Sequence, residues 1–423
     1  MAGAPAASWS SILRQIEDRR DAAAKGYRLG TERVVPPAAT LARMRPLQPI
    51  FGITRIANVT GLDRVGIPVV IAHTPNGRSL SVHEGKGLDV AAASASAVME
   101  AVECYHAERV ALPLRFAAYD ELAHDAAVSG EQLVLRDRVF DPFERRLWVE
   151  GCDLLRGRAV WLPYDLVHLD FSVPGPPGAG CFPLCSTGLA AGNTLLEAVA
   201  HALCELVERD AVSLWSLAGP GERAASRIDL GRIEDPACRG LLDTVEAAGL
   251  AVAVWDATSD IGVPTFVCRI VERDHRRARP WDGAAGAGCH PVPDVALARA
   301  VTEALQARLV HALGLRDDLI RHRYRPASRK DRAACRVEVL EGAARRDIRA
   351  IASFESDSFR ADVRWLIDRL RWAGIREVVA VDLTRPEFGV PAVRVVAPDL
   401  EDVVGAPGRR LGLRGRRALA ARP

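Results

Sequence analysis

Residues 193–217 constrain the fold more than any other stretch. They read NTLLEAVAHALCELVERDAVSLWSL, with no internal Pro or Gly, and predict a long helix from Asn193 to about Leu217. At about 100° per residue, Asn193, Glu197, Glu208 and Glu205 fall at roughly 0°, 40°, 60° and 120° around the axis. Leu195, Val199, Ala202, Leu203 and Leu206 take the other side. Three carboxylates thus share one face, and the only basic residue four positions from any of them is Arg209, beside Glu205. Like charges at that spacing destabilise a helix unless something neutralises them. A solvated acidic face is the ordinary explanation. The helix is too apolar elsewhere for a peripheral position, however, and Mg²⁺ would relieve the repulsion by accepting carboxylates together with phosphate oxygens and water.

Two further helices repeat the theme. One runs from about Asp89, a plausible N-cap, to Arg109 and places Ser96, Glu100 and Glu103 on one face. The other covers about Pro293 to Leu313 and carries Glu303, Gln306 and Arg308. Each follows a glycine-rich segment, GKG at 85–87, STGLAAG at 186–192 and GAAGAGCH at 283–290, read as turns that let backbone amides approach phosphate at a helix start.

The rest of the chain supplies a frame. Residues 1–50 form an arm, with a polar helix from about Trp9 to Lys25 and a break at Pro36–Pro37. ITRIANVTGLD, IPVVIAHT and SLSVH read as three strands, the last two joined by a turn at Asn76–Gly77. VWLPYDLVHLDF reads as a strand pair, LAVAVWDA and PTFVCRIVE as strands, 356–373 as a helix, and REVVAVDLT and AVRVVAP as late strands. From Gly405 the chain has six arginines and no acid, which suggests a solvated, flexible tail.

Bulk properties exclude several classes. A net charge of +2 over 423 residues creates no global field for nucleic acid. No run approaches the apolar length of a membrane helix. The polar start is unlike a signal peptide, and nine cysteines without paired spacing suit a reducing compartment, so the cytoplasm is expected. Lysine occurs only at Lys25, Lys86 and Lys330, which singles out Lys86, between a strand and the first motif helix, for a phosphate or substrate contact. Cys181, Cys185, Cys104 and Cys204 read as incidental or packing thiols. His290 is either a proton acceptor or a loop-ordering residue, and His201 belongs to the core or a supporting layer.

Ser-x₃-Glu-x₂-Glu (96–103), Asn-x₃-Glu-x₇-Glu-x₂-Glu-Arg (193–209) and Glu-x₂-Gln-x-Arg (303–308) together resemble the ATP-binding motifs of the YcaO superfamily. The resemblance runs from about Tyr27 to Glu401. It implies an α/β fold with mixed sheets and long helices, no Walker P-loop, and a Mg-ATP site among the helices. Carried over by position, Glu100, Glu103, Glu205 and Glu208 hold Mg²⁺. Ser96, Asn193, Glu197, Arg209 and Arg308 contact ATP, supported by Glu303 and Gln306, and Arg33 and Thr40 of the arm fall where further phosphate contacts lie. No catalytic residue is named. The implied domains are the arm at 1–50, a catalytic domain at 51–404 and the tail at 405–423.

The implied reaction is ATP-dependent O-phosphorylation of a peptide backbone amide. GITRIANVTGLDRVGIPVV and SLSVHEGKGLDVAAASASAVMEAVECYHAE look most like the branch found beside TfuA proteins, which points to a thioamide made with sulfide from a TfuA-like partner. An azoline-forming cyclodehydratase is the alternative, although the ending RRALAARP lacks that branch's Pro-rich terminus. A non-catalytic nucleotide-binding scaffold is the alternative of another class. A substrate peptide or protein, a separate leader-recognition protein and homodimerisation are also expected, the last because homodimers are common.

Overall fold

The computed structural model describes residues 9–18, 23–122, 127–128, 133–135, 137–277, 283–314, 329–402, 408 and 410–421. Three sheets carry the fold. The first, β1 (Arg55–Asn58), β2 (Val69–His73) and β3 (Val82–Lys86), is the expected hairpin-rich start. The largest holds β4 (Leu114–Ala117), β5 (Arg146–Asp153), β6 (Arg158–Pro163) and β7 (Leu189–Ala191), with β11 (Val379–Asp382) and β12 (Ala392–Val396). The third is β8 (Leu250–Asp256), β9 (Thr265–Glu272) and β10 (Ala284–Cys289).

The helices are α1 (Trp9–Glu17), α2 (Pro37–Met44), α3 (Val90–Glu108), α4 (Leu195–Leu217), α5 (Pro220–Ala225), α6 (Pro236–Ala247), α7 (Pro293–Leu313), α8 (Arg329–Glu341), α9 (Phe359–Trp372) and α10 (Leu413–Ala420). The three motif helices form where the sequence places them, for local reasons. Asp89 caps α3 by accepting from the Ala92 N–H at 2.7 Å, and Thr194 caps α4 through the Glu197 N–H at 3.3 Å. Helix α7 starts on Pro293 and stops at Gly314, whose φ of 62° is left-handed.

Named strands pair antiparallel throughout, in contrast to the mixed sheets expected. Among the described residues, parallel pairing is confined to isolated bridges, Ala127–Trp161 and Ile228–Arg346. The connections explain this. Helix α3 carries the chain from the first sheet to the largest, and α4 begins the passage from the largest to the third, so neither returns the chain beside its own strand.

The glycine-rich segments also differ from their sequence reading. GAAGAGCH is not a loop but strand β10, and Gly85 lies inside β3. A Cβ on Gly85 would stand 2.0 Å from the Ala93 carbonyl oxygen, and one on Gly288 would stand 2.1 Å from that of Ala296. These glycines let a strand lie directly on the backbone of the following helix. Other boundaries shift for comparable reasons. The VWLPYDLVHLDF segment is a strand only to Pro163, which has no N–H to extend a ladder, and a turn of 3₁₀ helix follows at Tyr164–Leu166.

Both ends of the chain are less peripheral than composition suggests. Helix α1 ends at Glu17 rather than near Lys25, and its Ile12 and Ile16 enter the core formed by α4, α9 and β12. Lys25 is buried between the carboxylates of Glu32 and Asp362. At the other end, Arg414 of α10 pairs with Asp210 at 2.8 Å and with Asp260, and the Gly412 N–H donates to Glu401 at 2.9 Å. The basic tail therefore has a helix docked on acidic groups, while 403–407, 409 and 422–423 lie outside the described residues.

Candidate functional site

The cleft of interest is walled by the arm, β3, α3, the start of α4, and α7. Among its lining residues are Arg33, Thr40, Lys86, Ser96, Glu103, Asn193 and Glu197, seven of the fourteen positions singled out from sequence. The arm is part of the wall. The Val34 N–H donates to Glu197 Oε2 at 3.1 Å, Arg33 Nε lies 3.7 Å from Glu197 Oε1, and Thr40 Oγ1 donates to Asn193 Oδ1 at 3.1 Å. Asn193 in turn donates through Nδ2 to Glu197 at 3.3 Å, which fixes its amide orientation. Burial pulls the Arg33 guanidinium below its ordinary value, against the pull of Glu197.

The carboxylates expected to hold metal lean on backbone N–H groups. Glu100 accepts from Glu84 at 2.7 Å, Glu103 from Ala191 at 2.9 Å, and Glu205 from Gly188 at 3.0 Å. Strand β3, strand β7 and the turn before β7 thereby orient three carboxylates on two helices. Burial pushes Glu103 well above the usual carboxylate range, helped by the negative charges of Glu100 and Glu205. Glu208 is also buried and also raised, first by burial and then by Glu303. Among the described residues, no three His, Cys, Asp or Glu side chains form a ready-made metal cage.

The third motif divides. Glu303 pairs with Lys86 and accepts from the Ala287 N–H at 3.2 Å, while Gln306 Nε2 donates to the Glu84 carbonyl at 2.9 Å. Burial would raise Glu303, but Lys86 and Arg209 hold it below the usual range. Arg209 lies 3.5 Å from Glu205. Burial would lower this arginine, and Glu208, Glu205 and Glu303 carry it above its ordinary value instead. Arg308 lies outside the cleft lining and is engaged at 2.8 Å with both Asp63 and Glu272.

Sequence reading missed Arg299 and placed His201 too far back; both line the cleft. Arg299 sits one helical turn before Glu303, and that spacing was the available signal. Its Nε is buried without an acceptor among the described residues. A guanidinium left short of partners beside Arg33 and Lys86 fits phosphate oxygens, and the nearby carboxylates are the oxygen donors a hard divalent cation takes. The residues present therefore fit Mg-ATP. His290 accepts the Val292 N–H through Nδ1 at 3.0 Å, which orders the loop ahead of α7.

Fold and site define an α/β protein in which carboxylates on packed helices meet cations from the arm, strand β3 and helix α7 at one cleft. The family model described as YcaO cyclodehydratase, ATP- and Mg²⁺-binding, matches residues 84–401, and the chain belongs to the YcaO family. ATP and Mg²⁺ are the ligands by which that family is described. An uncharacterised protein in the tfuA 3′ region of Rhizobium leguminosarum bv. trifolii is 38% identical over 388 residues, 90% of this chain and 92% of that protein. The chain thus resembles the TfuA-associated branch. The YcaO structure from Methanopyrus kandleri bound with AMPPCP and Mg²⁺ matches at TM-score 0.72 and 24% identity, covering 92% of this chain and 98% of that one. A heterocyclase in complex with substrate and cofactor matches at TM-score 0.75 and 23% identity over 92% of this chain, which spans only 55% of that protein's length. Among the described residues no helix is long and apolar enough to cross a membrane.

Proposed function

We propose that this protein activates a peptide backbone amide by O-phosphorylation and installs a thioamide, using sulfide delivered by a TfuA-like partner. The observation that carries the reading is the convergence of Arg33, Lys86 and Arg299 on one cleft beside the Glu100, Glu103 and Glu205 carboxylates. Such a site favours positioning and charge neutralisation, which is what phosphoryl transfer requires of a protein. The resemblance to a protein in a tfuA region supports the choice of product.

In this reading Glu100, Glu103, Glu205 and Glu208 hold Mg²⁺, while Ser96, Asn193, Glu197, Arg209 and Arg299 position the nucleotide. Thr40 and Glu197 fix the Asn193 amide, and Glu303 holds the Lys86 ammonium toward the cleft. Gln306 secures β3 against α7, and Arg308 acts through the framework. Bound Mg-ATP supplies the phosphoryl group that turns amide oxygen into a leaving group.

The description of the family as cyclodehydratases favours azoline formation as the second reading. The two products separate by mass. A thioamide leaves the peptide roughly 16 Da heavier, and an azoline roughly 18 Da lighter, after the same activation. Incubation with peptides encoded beside the gene, ATP, Mg²⁺ and sulfide tests this directly. ATP consumption that depends on a peptide would argue against the scaffold reading, and ATP binding without consumption would favour it.

A further inference from the structure

Behind the cleft lies a second, smaller cavity, bounded by Arg33, His201, Cys204, Cys289, His290 and Arg299 among others. Arg33, Glu197, His201 and Arg299 line both spaces, so side chains alone divide them. The cavity has about 20 Å³ for the centres of water-sized molecules, room for one such molecule.

Its walls have a particular chemistry. Arg299 brings the buried Nε without an acceptor among the described residues. His290 uses Nδ1 to accept the Val292 N–H, so the proton of its neutral ring sits on Nε2. The oxygen of Glu32 lies 3.6 Å from that nitrogen, beyond hydrogen-bond range. The three nearby carboxylates are already engaged, Glu197 by Arg33 at 3.7 Å, and Asp362 and Glu32 by the Lys25 between them at 2.7 and 2.5 Å. Burial and then Arg299 drive both His201 and His290 well below the ordinary imidazole value, which reports a positive potential at both rings. Cys204 and Cys289 lie within hydrogen-bonding reach of each other, and Phe359 and Leu366 complete an apolar, polarisable wall. Such surroundings favour a small, weakly hydrated, polarisable anion over a strongly hydrated one.

We propose that this cavity holds the hydrosulfide nucleophile beside the cleft in which the amide is activated. The assignment rests on the thioamide reading above. Hydrosulfide forms the C–S bond to the amide carbon, and the C=O π pair moves onto oxygen, which takes the γ-phosphoryl group of ATP with release of ADP and then departs as phosphate. The C=S bond closes as the C–O bond breaks, and the departing phosphate carries off the S–H proton.

Bromide, with the same charge as hydrosulfide and a similar size, is the probe. Crystals of the full chain soaked in sodium bromide should show an anomalous peak within the cavity, lost in Cys204→Leu, which fills it. With sodium hydrosulfide as direct sulfur source, that variant should raise the KM for sulfide about tenfold, with the KM for ATP changed less than about twofold. Leu366→Phe fills the space from another helix and serves if Cys204→Leu does not fold. Thioamide formation with no bromide in the cavity, or with an unmoved sulfide KM, overturns the assignment while the thioamide reading survives. A peptide that loses water and gains no sulfur overturns both, whatever bromide does.

Discussion

The backbone N–H of Val34 donates to the carboxylate of Glu197 at 3.1 Å, joining the N-terminal arm to the second motif helix inside the cleft wall. The arm is thereby held by a residue of the site it helps to build. Deleting that carboxylate should loosen the arm and weaken nucleotide binding together.

For Glu197→Ala we expect a KM for ATP raised at least about tenfold, since a hydrogen bond to a buried charge contributes about 1.5–3 kcal/mol. Amide hydrogen exchange over residues 30–40 should accelerate in the same variant. Normal exchange with weakened ATP binding would separate the two roles and remove the arm from the argument.

Glu205→Gln and Glu208→Gln should each raise the Mg²⁺ concentration needed for half-maximal ATP turnover by about tenfold or more, because a neutral amide is a poorer ligand for a hard cation. A titration with Mg²⁺ at saturating ATP measures this. An unchanged midpoint in both variants would remove these residues from the metal site.

Gly288→Ala distinguishes two roles for the third glycine segment. The added Cβ would meet the Ala296 carbonyl oxygen at 2.1 Å and the Ala300 nitrogen at 2.6 Å, both helix backbone atoms. Overpacking of this kind costs about 1–3 kcal/mol, read as a lowered denaturant midpoint. A phosphate-binding loop would instead lose nucleotide affinity at unchanged stability.

His83 links stability to pH. It is 1% exposed, and burial lowers its pKa to about 4. The unfolded imidazole, near 6.5, binds its proton first as pH falls, so acid favours the unfolded chain. Stability contributed by the neutral ring is complete above the unfolded value and declines as pH drops toward about 4. From about pH 7.5 to about pH 5 the expected loss is about 2 kcal/mol. His83→Gln should flatten that part of the urea-unfolding profile; an unchanged slope would assign the acid sensitivity elsewhere.

Local signals made the motif helices legible. Asp89 and Thr194 cap them, their faces follow the helical period, and ordered motifs tied them to one family before any geometry was known. Arg299 was less visible because its importance depends on what fails to pair with it, which no spacing reveals. Arg308 presents the reverse case: its motif position suggested phosphate, and tertiary packing gave it Asp63 and Glu272.

Sequence alone determined the three acidic helices, the hairpin at the start of the core and the family to which they belong, since each depends on periodicity, caps and residue spacing within short windows. Tertiary structure decided what those windows face. It turned the first and third glycine segments into strands pressed on helices, because only the folded chain brings those backbones within van der Waals contact. It also made the arm a wall of the cleft through Val34 and Glu197, separated by 163 positions in sequence and by 3.1 Å in space.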